Sequence, residues 1–128
     1  MELKPIKMKA VLVDNMRLNI ELLETFLRLY CPRVNVVGTA ESFDEAHEVI
    51  NKEQPDILFL DTEIFNNTVN ELLNSIRQEN IYVIIISVYD NYIIERPKYP
   101  ITGYLLKPIR ITELIAVVNK ALSDFEPK

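Results

Sequence analysis

The sequence predicts an α/β fold, a doubly wound parallel sheet with helices on both faces. Three observations lead there. Short β-rich runs alternate with stretches of helical period along all 128 residues, the pattern of consecutive βαβ units. The runs "ILFL" (57–60) and "VIIIS" (83–87) do not alternate polar with apolar, as expected of strands covered on both faces. A hydrophobic content of 48% in a chain of this length suits one domain with one core. A single domain over 1–128, with its core at about 8–125, is expected.

The elements follow in order. "KAVLV" (9–13) is the first strand. Residues 16–30 place Met16, Ile20, Leu23, Leu27 and Tyr30 on one face of a helix that Pro32 ends. "VNVVGTA" (34–40) is the second strand. Ser42 and Glu45 form a capping box that opens a helix to about Glu53. "DILFL" (56–60) is the third strand. Thr68 and Glu71 repeat the capping box, ahead of a stripe of Val69, Leu72, Leu73 and Ile76. "IYVIIISV" (81–88) is the fourth strand and "YLLK" (104–107) the fifth. Leu114, Val117, Val118, Ala121, Leu122 and Phe125 line the last helix.

Composition excludes several functions. The net charge is −5 and no basic run exists, which argues against nucleic-acid binding. One cysteine, Cys31, cannot form an internal disulfide, and no Cys/His cluster suggests a metal site. A free, packed thiol fits the cytoplasm. The "AVLV" that follows the amino-terminal lysines is too short for a signal peptide, and "IYVIIISV" is too short to span a bilayer.

In parallel sheets of this kind ligands bind at the carboxyl ends of the strands. Those ends carry Asp14 and Asn15, Asp61, Ser87, and Lys107 followed by Pro108. If the strands are parallel, these side chains share one edge. Carboxylates packed together repel and recruit a cation, and oxygen ligands with retained waters suit Mg²⁺. An Asp carboxylate can act as a nucleophile toward phosphorus, with Lys107 and Ser87 supplying charge and a hydrogen bond to the phosphoryl oxygens.

The segments "VLVDN", "PDILFLD", "IIISVYD" and "GYLLKPI", in that order over about residues 8–125, resemble the receiver domain of two-component response regulators. The resemblance implies a five-stranded flavodoxin-like sheet of order 2-1-3-4-5. It implies Asp61 as phospho-acceptor, and Asp14, Asn15, Asp61 and the backbone carbonyl of Glu63 around Mg²⁺. Ser87 matches the switch hydroxyl, Tyr104 the aromatic switch, and Lys107 the lysine on the phosphoryl group. The partners implied are a sensor histidine kinase or phosphotransfer protein, and a downstream effector or fused output domain. No membrane or nucleic-acid partner is implied for this domain.

The sequence departs from the family at three places. Asn15 replaces a second acid, which weakens Mg²⁺ binding, and Glu63 would compensate if its carboxylate turned to the metal. The segment "DTEIFNNTVNEL" has Phe65 in place of a proline and no glycine. In "YDNYIIERPKYPITGYLLK", Pro97 and Pro100 make the family's fourth helix short or irregular. Ile93, Ile94, Tyr99 and Ile101 there form either a homodimer or partner patch, or core.

Taken singly, each residue also has a plainer role. Asp61 would be a loop or cap residue, Ser87 a strand-end filler, and Tyr104 a core aromatic. Asn15 would cap the first helix, His47 would be partly exposed, and Lys4, Lys7 and Lys9 would form a solvated edge. The alternative function is therefore a degenerate receiver that serves as a phosphorylation-independent interaction module. A flavodoxin-like enzyme or nucleotide binder is disfavoured, because the two glycines, Gly38 and Gly103, form no phosphate loop.

Overall fold

Runs of Val, Ile, Leu and Phe become strands because branched and aromatic side chains pack well on a pleated surface. In the computed structural model, which describes residues 7–62, 69–88 and 100–125, they do so five times. The strands are β1 (Met8–Val13), β2 (Val34–Ala40), β3 (Ile57–Asp61), β4 (Tyr82–Ser87) and β5 (Ile101–Leu106). The helices are α1 (Arg17–Tyr30), α2 (Phe43–Glu53), α3 (Val69–Ser75) and α4 (Ile111–Phe125). All pairings are parallel and the order is β2-β1-β3-β4-β5, as the family resemblance implies. The segment of the family's fourth helix, with Ile93, Ile94 and Tyr99, lies outside the described residues, as do Glu63 and Thr68.

Alternation along the strands builds two apolar layers. Ala10, Leu12, Ile57, Phe59, Ile84, Ile86 and Leu105 pack against Ile20, Leu23 and Leu27 of α1 and Leu114, Val118 and Ala121 of α4. Val11, Val13, Leu58, Leu60, Val83 and Ile85 pack against Ala46 and Ile50 of α2 and Val69, Leu72 and Leu73 of α3. Each such side chain contributes roughly 1.5–3 kcal/mol on full burial, so these layers, not the loops, hold the strand ends in place. Ile101 is half-buried and packs on the second layer.

Local chemistry sets the boundaries. Ser42 Oγ accepts from Glu45 N at 3.2 Å, but the Glu45 carboxylate accepts from Glu41 N instead of Ser42 N. The capping box is thus displaced by one residue on its return arm. Lys9 is more than a solvated side chain, because its Nζ donates to Glu53 O at 2.8 Å and its N to Asp56 Oδ2 at 2.7 Å. His47 is half-buried and stacks on Phe43.

Two expectations shift. Met16 and Tyr30 do not share the core face of α1; they are exposed, and only Ile20, Leu23 and Leu27 are buried. Strand β5 starts at Ile101, three residues before the "YLLK" run. There Val83 pairs with Ile101 and Ile84 with Gly103, leaving Thr102 as a bulge whose Oγ1 accepts from Val83 N at 3.2 Å. The bulge breaks the two-residue period that marks a strand in sequence. A matching bulge in β2 leaves Val37 unpaired between Val36 and Gly38. At Gly38 a Cβ would lie 2.6 Å from Val49 Cγ1, so a side chain there would force Val49 to shift.

Candidate functional site

Three strand ends converge at the carboxyl edge. Asp14 follows β1, Asp61 closes β3, and Lys107 follows β5. By the alternation of the strands all three side chains turn to the α1–α4 face. Backbone ties fix them there: Asp14 N donates to Ala40 O at 3.1 Å, and Lys107 N donates to Ser87 O at 2.8 Å. Lys107 Nζ forms an ion pair with Asp61 Oδ2 and lies 3.7 Å from Asp14 Oδ2. A single ammonium therefore bridges two buried carboxylates.

Each acid has a second anchor. Asp14 Oδ1 accepts from Met16 N at 2.9 Å and lies 3.4 Å from Asn19 Nδ2. This is an Asx-type turn into α1, so Asp14 holds the helix start. Asn15 does not cap α1: the N-cap residue is Met16, without a side-chain cap bond. Asn15 is exposed beside Asp14. After Asp61, Thr62 N donates to Ile86 O at 3.0 Å and Thr62 Oγ1 approaches the same oxygen at 3.4 Å. Thr62 is buried and pins the carboxyl end of β3 to β4, which sets the position of Asp61.

Two carboxylates and one lysine leave the cluster one negative charge in excess. The Asp14 carboxyl is pushed up to about 6. Burial is the main cause. The hydrogen bond with Asp61 and its charge add to it, against the lowering effect of the Met16 N–H and Lys107. Such a donor set, hard oxygens with uncompensated charge, fits a hard divalent cation. Among the described residues no cluster of three or more acids, histidines or cysteines adds to it, so an ion there would keep several waters.

Ser87 is buried at the end of β4, paired in register with Leu106. It stands at the same carboxyl edge as Asp61 and Lys107. Tyr104 is 55% exposed on β5, which removes the core-aromatic reading. Glu63 lies outside the described residues. Sequence reasoning did not find Asn19 or Thr62. A polar residue directly after the strand-end Asp was the only signal for Thr62, and Asn19 gave none.

Beside the cluster a cavity of about 340 Å³ opens between α1 and the start of the β5–α4 connection. Ile20, Leu23, Phe26, Ile86, Pro108 and Ile109 line it, with Asp14, Asn19 and Lys107 at one end.

A parallel sheet of order 2-1-3-4-5 with an acid–lysine cluster at its carboxyl edge defines the flavodoxin-like class of signalling domains. The family model for the response regulator receiver domain matches residues 10–119, and the chain belongs to that family. It is thus a receiver domain of two-component signalling. The chain is 34% identical over 96 residues to an uncharacterized response regulatory protein of Vibrio parahaemolyticus, covering 72% of this chain and 40% of the relative. It is 28% identical over 119 residues to the sensory transduction protein LytT of Enterococcus faecalis, covering 91% and 49%. Among solved structures it is similar to the REC domain of AraT, a response regulator from Geobacillus stearothermophilus. That match has a TM-score of 0.79 and 25% identity, and covers 94% and 96% of the two chains. It is also similar to the signal receiver domain of NarL from Mycobacterium tuberculosis, with a TM-score of 0.74, 26% identity, and coverage of 93% and 98%. The chain spans about half the length of the curated relatives it matches. Among the described residues no helix is long and apolar enough to cross a membrane.

Proposed function

We propose that this chain is a single cytoplasmic receiver domain that takes a phosphoryl group on Asp61 and signals by protein contact. The observation that supports it is the Lys107 bridge between Asp14 and Asp61. An Asp61 carboxylate oxygen attacks phosphorus, the bond from phosphorus to the donor breaks, and the donor leaves with the bonding pair. With a phosphohistidine of a sensor kinase or phosphotransfer protein the broken bond is P–N, and the imidazole departs. Lys107 already contacts the acceptor oxygen and neutralises charge that moves to the phosphoryl oxygens. The domain is not a classical enzyme, since Asp61 is consumed in the transfer and regained only by hydrolysis.

Asp14, Asp61, the Asn15 amide and the Glu63 carbonyl would hold Mg²⁺, which supplies positive charge at the phosphoryl oxygens. Asn15 brings no charge, so binding is weaker than with a second acid there, unless the Glu63 carboxylate makes up the difference. Ser87, buried at the end of β4, would supply the switch hydroxyl. Exposed Tyr104 has room to move with it, as a population shift of the β5 surface. The receiver of that shift is a downstream effector or a fused output domain.

A second reading, a degenerate receiver that serves as a phosphorylation-independent interaction module, is favoured by Asn15, which brings no charge to the cation site. Incubation with a small acyl phosphate, with and without Mg²⁺, followed by intact mass measurement separates the two. A Mg²⁺-dependent phosphoryl adduct, absent from Asp61→Asn, supports the receiver reading. A folded protein that gains no adduct refutes it and supports the interaction module.

A further inference from the structure

Helix α1 is apolar on two sides. Ile20, Leu23 and Leu27 face the core, while Leu18, Leu22 and Leu29 are 71%, 54% and 61% exposed. At 100° per residue the exposed three fall within a stripe about 40° wide, roughly 150° around the helix from the core stripe. With Thr25 they form the spacing 18, 22, 25, 29, the alternating four-and-three step of a coiled-coil seam. Thr25 suits a seam, because its Oγ1 donates to Glu21 O at 2.8 Å. Its hydroxyl is satisfied within the helix and its methyl remains for packing.

The charges beside the seam are self-complementary. Glu21 and Arg28 stand on the same flank, one heptad apart, and both are exposed. Among the described residues neither side chain has an ion-pair partner. A two-fold axis near the middle of α1 would bring Glu21 opposite Arg28 of a second copy, and Arg28 opposite its Glu21. An axis between Leu23 and Glu24 layers Leu18 on Leu29 and Leu22 on Thr25, and sets Glu21 about 3 Å along the helix from the level of the second copy's Arg28, within reach of two long side chains. A parallel pairing would put Glu21 at the level of its own copy. The core stripe lies on the far side, so the two domains sit on opposite sides of the helix pair and do not collide.

We propose that two copies of this chain associate through antiparallel pairing of α1. The seam from Leu18 to Leu29 runs along only about 17 Å of one helix. The dimer is therefore weak, with Kd on the order of 10⁻⁴ M.

Sedimentation equilibrium from about 20 μM to 1 mM tests this range. The weight-average mass should climb from 14.9 kDa toward twice that value. Glu21→Arg or Arg28→Glu alone should weaken association about tenfold, and Leu18→Glu should abolish it. These positions are exposed, and far-UV circular dichroism verifies the fold of each variant. The double reversal E21R/R28E should restore wild-type association, which a merely structural role for either residue would not produce. A wild-type protein monomeric at the highest concentration overturns the proposal. So does undiminished association of either single reversal, or a double reversal that stays as weak as the singles.

Discussion

Replacing Asp14 by Asn should stabilise the metal-free protein, although it removes a residue assigned to the cation site. The Asp14 carboxyl titrates at about 6 in the fold and at 3.8 without the fold's influence. Between these values the folded state binds the proton more tightly than the unfolded chain does. Stability from this group is therefore complete below pH 3.8 and is lost as pH rises through 6. At about 1.36 kcal/mol per pH unit, keeping Asp14 ionised costs the fold up to about 3 kcal/mol at neutral pH. Asn retains the acceptor for Met16 N and carries no charge against Asp61. It still buries an amide, which keeps part of the cost. The expected gain is about 1–3 kcal/mol, or roughly 4–10 °C in Tm for a chain of this length. Thermal denaturation in EDTA at about pH 7.5 and again at about pH 4.5 checks it, and the gain should fall to about a third at the lower pH. An Asp14→Asn protein no more stable than wild type, or equally favoured at both pH values, would refute the account of the acidic cluster.

Further outcomes follow from the same structure. Lys107→Met leaves two buried carboxylates without their shared cation and should cost about 3–5 kcal/mol in urea denaturation at neutral pH; the loss should shrink on acidification. Gly38→Ala places a methyl within 2.6 Å of Val49 Cγ1 and should cost about 1–3 kcal/mol. Adding Val49→Ala should recover part of that loss, and a double-mutant cycle measures how much. Cys31 is buried, and burial raises its thiol above the usual range. It should react with a thiol reagent only as fast as the protein opens, so mild urea should accelerate labelling.

What the sequence made legible divides along physical lines. Apolar runs with a clean period specified four strands nearly to the residue, because two-sided burial leaves a continuous hydrophobic signature. Strand β5 was shortened in the reading because Thr102 and Gly103 interrupt that signature at a bulge. Met16 and Tyr30 were placed on the core face of α1 because periodicity identifies a stripe but not where a helix begins and ends against its sheet. The convergence of Asp14, Asp61 and Lys107 followed from parallel topology alone. Asn19 and Thr62 act through hydrogen bonds that form only in the folded chain and leave no trace in local pattern.

The two bulges bear on how the domain behaves at high concentration. β2 and β5 are the outermost strands of the sheet, and each presents a margin of backbone donors and acceptors to the surroundings. Such margins template edge-to-edge pairing with other chains, the first step toward insoluble aggregates. Val37 divides β2 into Val34–Val36 and Gly38–Ala40, and Thr102 separates Ile101 from the rest of β5. Neither margin offers a long regular ladder for another strand to extend. The irregularities that obscured β5 in the sequence are thus a guard on the sheet, and they leave association to side-chain surfaces that can release.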